Sequence, residues 1–285
     1  MNRATGLLVI EVVNSNPNGN PDQENDPRVR DDLRGLISPV SVKRKIRDLV
    51  DDKDGPAWRA IAASFEHALD PESYQILESR GRNRKEIEGR IKDGTFLSSY
   101  WDARIFGNTY LEKGLSDEYI RTGVVQFGLG MSVSPVHIDR FTTTSKSGVQ
   151  EGKDRGMAPL AYRIVAHGAY VMPFFVNATA AEKSGCSETD LALLLRLLPY
   201  VYSETASYLR SQVNVRRAWY VEHRSPLGSV PDFQILQALT PIRASQAPSA
   251  AWSDYSVPET LPDDLAKRVL SVTDLVARAY DAVAA

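Results

Sequence analysis

Thiols are all but missing from this chain. Cys186 is the single cysteine among 285 residues, so no intrachain disulfide can form and a thiolate metal site is excluded. Histidine is almost as scarce. His67, His137, His167 and His223 have no ligand-like spacing, and each reads as an ordinary strand or surface residue rather than a metal ligand. An excess of one charge sign is missing too: 34 Lys and Arg against 36 Asp and Glu leave a formal net charge of -2. Global charge therefore advertises no nucleic acid, and any such site must be a local basic patch on a near-neutral body. Long apolar runs are absent. The first, residues 7–13, is interrupted by Glu11; no signal-peptide pattern opens the chain and no stretch reaches membrane-spanning length. A cytoplasmic protein without a membrane partner is the expectation. No serine sits in a nucleophile elbow and no phosphate loop of the G-x-x-x-x-G-K-S/T kind appears.

What is present is ordinary in bulk, 42% hydrophobic and 25% charged, and a folded chain of this size buries about three quarters of its unfolded surface. The most informative segment is local. Ser38 is placed to cap a helix and Pro39 to open it; Val42, Ile46, Leu49 and Val50 then fall on one stripe at helical spacing. Lys43, Arg44, Lys45 and Arg47 occupy the rest of the surface, with Asp48, Asp51 and Asp52 at the far end. Basic early and acidic late is the reverse of what a helix dipole prefers. A positively charged helix start aimed at phosphate explains that order. A solvated face with Arg44–Asp48 and Arg47–Asp51 pairs is the plainer reading.

Residues 6–13 read as a central strand, apolar on both faces, followed by the turn-rich run 14–22. Residues 51–100 look like a charged insertion, helical around 57–69, with Arg80, Arg82, Arg84, Lys85, Arg90 and Lys92 near glycines. Residues 101–106 resume strand-like sequence. Over 122–133, Val125, Phe127, Leu129, Met131 and Val133 alternate onto one face, leaving Gly128 and Gly130 opposite. Glycines there imply either a close approach to the backbone or a bulge. Residues 139–160 form a polar excursion, 162–176 a strand, and Ser187 with Asp190 a capping-box-like start to a helix that Pro199 should kink. Residues 217–223 are a strand, 241–260 a surface connector, and 263–283 a final helix. The order is compatible with an α+β fold on a split βαβ, ferredoxin-like core (βαββαβ), the topology of RNA-recognition modules. Asp22, Asp26, Asp31 and Asp32 suit magnesium by chemistry, but carboxylates in a turn-rich loop are more often solvated. No catalytic residue, metal or cofactor is expected.

The chain resembles the backbone subunits of type I CRISPR surveillance complexes (Cascade), the Cas seven family of the RAMP superfamily, nearest its I-C and I-B branch. The match runs through Asn16-Pro17-Asn18-Gly19, Asp26-Pro27-Arg28 and the basic helix from Val40 to Arg47. It continues in Asp102-Ala103-Arg104-Ile105-Phe106-Gly107, in Arg121 to Phe127 with Thr122-Gly123-Val124 in place of a glycine–proline step, and in Ser132 to Val136. Asp139-Arg140, Arg155-Gly156-Met157, Ala166-His167-Gly168 and Gly185 to Leu191 complete it. Several co-linear motifs over residues 6–228 are far more specific than any one.

The resemblance implies one RRM-like palm domain over residues 1–285. A finger-like helical insertion would occupy 51–100, a protruding thumb hairpin 139–160, and a connector plus helix 241–285. It implies a non-catalytic protein that polymerises head to tail along a CRISPR guide RNA, beside a large subunit and a guide-handle-binding subunit. Target DNA would be met through the guide. The expected RNA contacts are Asn16, Asn18, Gly19, Arg28, Ser41, Lys43, Arg44, Lys45, Arg47, Arg104, Phe106, Gly107, Arg121, Gln126, Gly128, Arg140, Arg155 and Met157, the last as an apolar wedge between bases. The competing reading is a metal-dependent ribonuclease, since type III relatives cut target RNA with an aspartate near the thumb; Asp139 or Asp154 would serve. A guide-trimming enzyme is a third reading, disfavoured by the lack of a well-placed histidine.

Overall fold

The computed structural model describes residues 1–81, 83–108, 121–146 and 157–284. Strand β1 (Ala4–Ser15) is the centre of the molecule. Leu8, Ile10 and Val12 point to one side and Leu7 and Val9 to the other, and all are buried, as a strand apolar on both faces requires. Short strands β2 (Gly19–Asn20) and β3 (Asp26–Pro27) pair in the turn-rich loop, and β4 (Arg34–Ile37) leads into helix α1 (Pro39–Asp51). The insertion contributes α2 (Pro56–Ala63), α3 (Arg84–Lys92) and α4 (Phe96–Ser99), and α5 (Trp101–Phe106) follows it. Strands β5 (Gly107–Asn108), β6 (Arg121–Thr122), β7 (Val125–Phe127), β8 (Gly130–Pro135), β9 (Ile138–Lys146) and the long β10 (Met157–Val176) follow. Helices α6 (Ala178–Ser184) and α7 (Glu188–Leu197) lead to β11 (Val213–Glu222). The chain then runs through α8 (Asp232–Leu239), α9 (Asp263–Ala266), β12 (Ser271–Asp274) and α10 (Leu275–Ala284).

The result is a mixed α+β fold on an eight-stranded sheet of order β12-β11-β1-β10-β8-β4, with β7 and β9 also pairing with β10. All the strand pairs in it are antiparallel. Each face has its own core. Leu8, Ile10 and Val12 pack with Val42, Ile46, Leu194 and Leu197 of α1 and α7. Leu7 and Val9 pack on the other side with Trp219, Val221, Ile235, Leu239, Leu261 and Leu265. The C-terminal segment therefore closes the second face. The insertion adds a small core of Leu77, Ile87, Ile91, Phe96, Tyr100 and Ala103.

Four expectations need correction. Residues 101–106 are helix, not strand. All six side chains are buried; Asp102 and Arg104 alternate with apolar neighbours as in a strand, but both are held inside by ion pairs to Arg47 and Asp190. The strand foreseen over 122–133 breaks at Gly128. The register sum with β10 is 301 for Phe127 opposite Phe174 and 302 for Met131 opposite Val171, an extra residue of the bulge type. The alternation slips with it: Val125 and Phe127 are buried, but Leu129 is 51% exposed and Ser132 and Ser134 point inward. The final helix is split, because Ser271–Asp274 pairs with the β11 edge before α10 begins. Finally, α7 does not continue past Pro199 with a kink; it ends at Leu197 and tightens into a 3-10 turn at Leu198–Tyr200.

Candidate nucleic-acid interface

The turn-rich loop and the start of α1 form one surface. Ser38 caps α1, its hydroxyl accepting from Val40 N at 3.2 Å, and its own N–H donates to Asn18 Oδ1 at 2.7 Å. Arg28 Nε donates to Gly19 O at 3.3 Å, and its terminal nitrogens have no hydrogen bond among the described residues. Asn16 is buried, donating to Asn25 O at 2.7 Å, while its Oδ1 has no partner among the described residues. Ser41 and Lys43 lie on the half-exposed side of the helix. The Lys43 ammonium stands 5.1 Å from the Phe106 ring centroid, with no carboxylate partner among the described residues. Burial, then the charge of Arg47, lowers its pKa.

The other helix cations are committed elsewhere. Lys45 faces inward with the apolar stripe, not outward as its position implied; it donates to Thr205 Oγ1 at 2.8 Å and O at 3.3 Å beside the Tyr202 ring. Burial, then the charge of Arg210, pushes its pKa down to about 8. Arg44 pairs with Asp48 at 3.1 Å, as the spacing predicts, and donates to Glu78 O. Arg47 passes over Asp51 and bonds Asp102 at 2.7 Å.

The Asp102–Gly107 motif is a fastener. Asp102, 1% exposed, accepts from Arg47 Nε, from Leu77 N at 2.7 Å and from Glu78 N at 3.2 Å. Arg104 bonds both carboxylate oxygens of Asp190, at 2.9 and 2.7 Å, and also Leu97 O, Ser98 O and Ser73 O. All five guanidinium donors are thereby engaged, so none is left for phosphate. Phe106 packs on Trp101 and Phe127, and Gly107 ends α5 at φ 80°. Gly128 and Gly130 likewise admit protein. A Cβ on Gly128 would meet Pro173 at 2.8 Å, and one on Gly130 would meet Met172 at 2.9 Å. Gln126 is exposed, its amide donating to Gly123 O.

Strands β9 and β10 pair from Ile138 opposite Val165 to Lys146 opposite Met157, a hairpin of the main sheet. One side carries Arg140 and Arg163, both bonded to Asp26. The other carries Phe141, 53% exposed, opposite Tyr162, whose ring meets Tyr208 edge-on at 5.1 Å. Asp139 sits 3.2 Å from His137. Arg82, Asp154, Arg155 and Gly156 lie outside the described residues, and Arg121 and Met157 are placed by their backbones in β6 and β10. Among the described residues no three His, Cys, Asp or Glu side chains gather as a metal site. No described helix is long and apolar enough to cross a membrane.

The family model for CRISPR-associated protein Cas7 matches residues 2–259. The chain belongs to that family. The CRISPR-associated protein Cas7 of Haloferax volcanii is 25% identical over 226 residues, which are 68% of this chain and 62% of that protein; the chain thus spans about three fifths of its relative's length. One similar solved chain comes from a CRISPR RNA-guided surveillance complex, pre-nicking. Its TM-score is 0.46 at 13% identity, over 77% of this chain and 78% of that one. Another comes from a Type III-B Cmr-beta complex bound to cognate target RNA, with TM-score 0.42 at 12% identity, over 78% of this chain and 61% of that one.

In this Cas7-family chain, Asn18, Gly19 and Arg28 of the expected contact set share the loop that bonds Ser38 at the start of α1, on which Ser41 and Lys43 are half-exposed. The structure turns Lys45 inward and commits Arg47 and Arg104 to buried carboxylates, while Phe106 packs beside the Lys43 ammonium. Sequence reasoning missed Arg163, Phe141, Tyr162 and Tyr208. A signal existed for three of them: Arg140-Phe141 and Tyr162-Arg163 alternate cation and aromatic on two adjacent polar strands.

Proposed function

We propose that this chain is a guide-RNA-binding backbone subunit of a CRISPR surveillance complex of type I character, arrayed head to tail along the guide and presenting its bases to target DNA. The observation that carries this reading is the Cas7 family match over residues 2–259. The strand order β11-β1-β10-β8, with α1 and α7 on the connections that cross it, fits an RRM-like split βαβ palm. With the second sheet face closed by α8 and residues 261–269, RNA would run over the loops and the hairpin instead of an open sheet. Arg28, Ser41 and Lys43 are half-exposed donors suited to sequence-independent phosphate and 2′-hydroxyl contacts. The β9–β10 hairpin would be the thumb, with Phe141 and Tyr162 as a stacking surface for bases and Met157 near its outer end as a wedge. Sequence would be read by pairing with the guide, not by side chains. The partners would be further copies of this chain, a large subunit and a guide-handle-binding subunit.

The test is the salt dependence of guide-RNA binding by wild type and by Arg28→Gln with Lys43→Gln. Losing two phosphate contacts lowers the log–log slope by about 1.4, at about 0.7 per single-strand contact. An unchanged slope removes this surface from the interface. Complementary labelled RNA added with magnesium should be bound and left whole. Regular cuts abolished by Asp139→Ala would favour the ribonuclease instead.

A further inference from the structure

Two arginines face each other across the hairpin. Arg163 on β10 is the direct register partner of Arg140 on β9, and like charges directly opposite in an antiparallel pair destabilise it. One carboxylate holds them together. Asp26 Oδ2 accepts from Arg140 Nη2 at 2.6 Å, and Oδ1 accepts from Arg163 Nη1 at 3.0 Å. Glu24 accepts a further bond from Arg163. Burial would raise the Asp26 pKa, but the hydrogen bonds and charges of the two guanidinium groups outweigh it and hold the carboxyl below its usual range.

The loop that delivers these carboxylates is unusual. Glu24 and Asn25 both take the left-handed backbone conformation, at φ 49° and 63°, which residues other than glycine adopt uncommonly and which clusters at functional sites. The ion cluster also lies within reach of solvent: the Glu24 side chain is 79% exposed and that of Arg140 is 60% exposed.

We infer that Arg140 and Arg163 form a fork for one phosphodiester group, and that the loop holding Glu24 and Asp26 fills it with carboxylates when no RNA is bound. Two guanidinium groups converging on two oxygens of one anion suit phosphate as well as carboxylate. RNA has to displace the loop, so a stray anion that makes no other contact competes poorly, whereas a strand engaging the rest of the surface wins. The inference rests on the nucleic-acid-binding reading above and adds to it Arg163 and the competing loop.

The experiment uses full-length protein freed of nucleic acid, titrated with labelled unstructured RNA at several salt concentrations. Arg140→Gln with Arg163→Gln should weaken binding about tenfold and lower the salt slope by about 0.7, the value for one phosphate on a single strand. Glu24→Gln should tighten binding about threefold and Glu24→Gln with Asp26→Asn about fivefold, the scale of exposed ion pairs. On the background lacking both arginines the acid substitutions should change nothing. Glu24→Gln guards against misfolding, because it leaves both Asp26 ion pairs in place. Binding by Glu24→Gln that matches or falls below wild type overturns the inference while leaving the proposed function intact. Inorganic phosphate at constant ionic strength that stabilises the amide variant, with no gain in RNA affinity, assigns the fork to the free anion and also overturns it. Wild type that binds no RNA at all defeats the proposed function, and the inference with it.

Discussion

At the scale of single residues, a cation's address matters more than its charge. Lys43 and Lys45 are two positions apart on α1, yet one ammonium stands over Phe106 without a hydrogen bond among the described residues, and the other donates to Thr205 beside Tyr202. Burial has pushed the Lys45 pKa down from 10.5 to about 8. In the window between those values the unfolded chain still holds a proton that the folded chain has released. The residue's effect on stability therefore improves as pH rises through it. Lys45→Met removes that dependence, while Lys53, also near 8, is present in both proteins and cancels. Chemical unfolding of both at about pH 7.5 and about pH 9.5 should show wild type gaining on the variant at the higher pH. A gap that stays constant would mean that Lys45 titrates like a solvated lysine.

At the scale of elements, the link between β6 and β7 and the end of α5 depend on each other. Gly123 lies against the backbone where α5 ends: a Cβ there would come within 2.1 Å of Gly107 N and Phe106 C. Backbone cannot swing aside as a side-chain tip can. Gly123→Ala should cost about 1–3 kcal/mol or more, the range for overpacking, read as a lower denaturant midpoint with an unchanged slope. A midpoint equal to wild type would mean the α5–β5 corner is soft. The same elements mark what was legible beforehand. Helix α1 was, because its cap, its opening proline and its apolar stripe all agree; so was the start of α7, where Ser187 and Asp190 form the capping box. Helix α5 was not, since Asp102 and Arg104 alternate with apolar neighbours as in a strand, and the partners that bury them, Arg47 and Asp190, are distant in the chain. The slip after Phe127 was not either, since one extra residue alters the facing of every later side chain without altering composition.

At the scale of the whole molecule, the sheet is covered on both faces, and that decides where a polymer can lie. Leu239 on α8 is fully buried against Leu7, Val9 and Trp219. Leu239→Ala should destabilise by about 2–5 kcal/mol, with hydrogen exchange rising along the second face and RNA affinity per folded molecule unchanged. Reduced affinity in the folded fraction would place part of the interface under the C-terminal segment. By itself the sequence determined the central strand, the two capped helices, the lack of a disulfide and the motifs of the family, because turn chemistry, hydrophobic period and motif spacing are local properties of the chain. Only the tertiary structure decided which cations remain free. Arg104 meets Asp190 from 86 positions away, Arg47 meets Asp102 from 55, and Arg163 meets Asp26 from 137. A guanidinium meets a ligand only where no carboxylate has been folded against it or where the ligand can displace that carboxylate, and both depend on contacts that spacing along the chain does not encode.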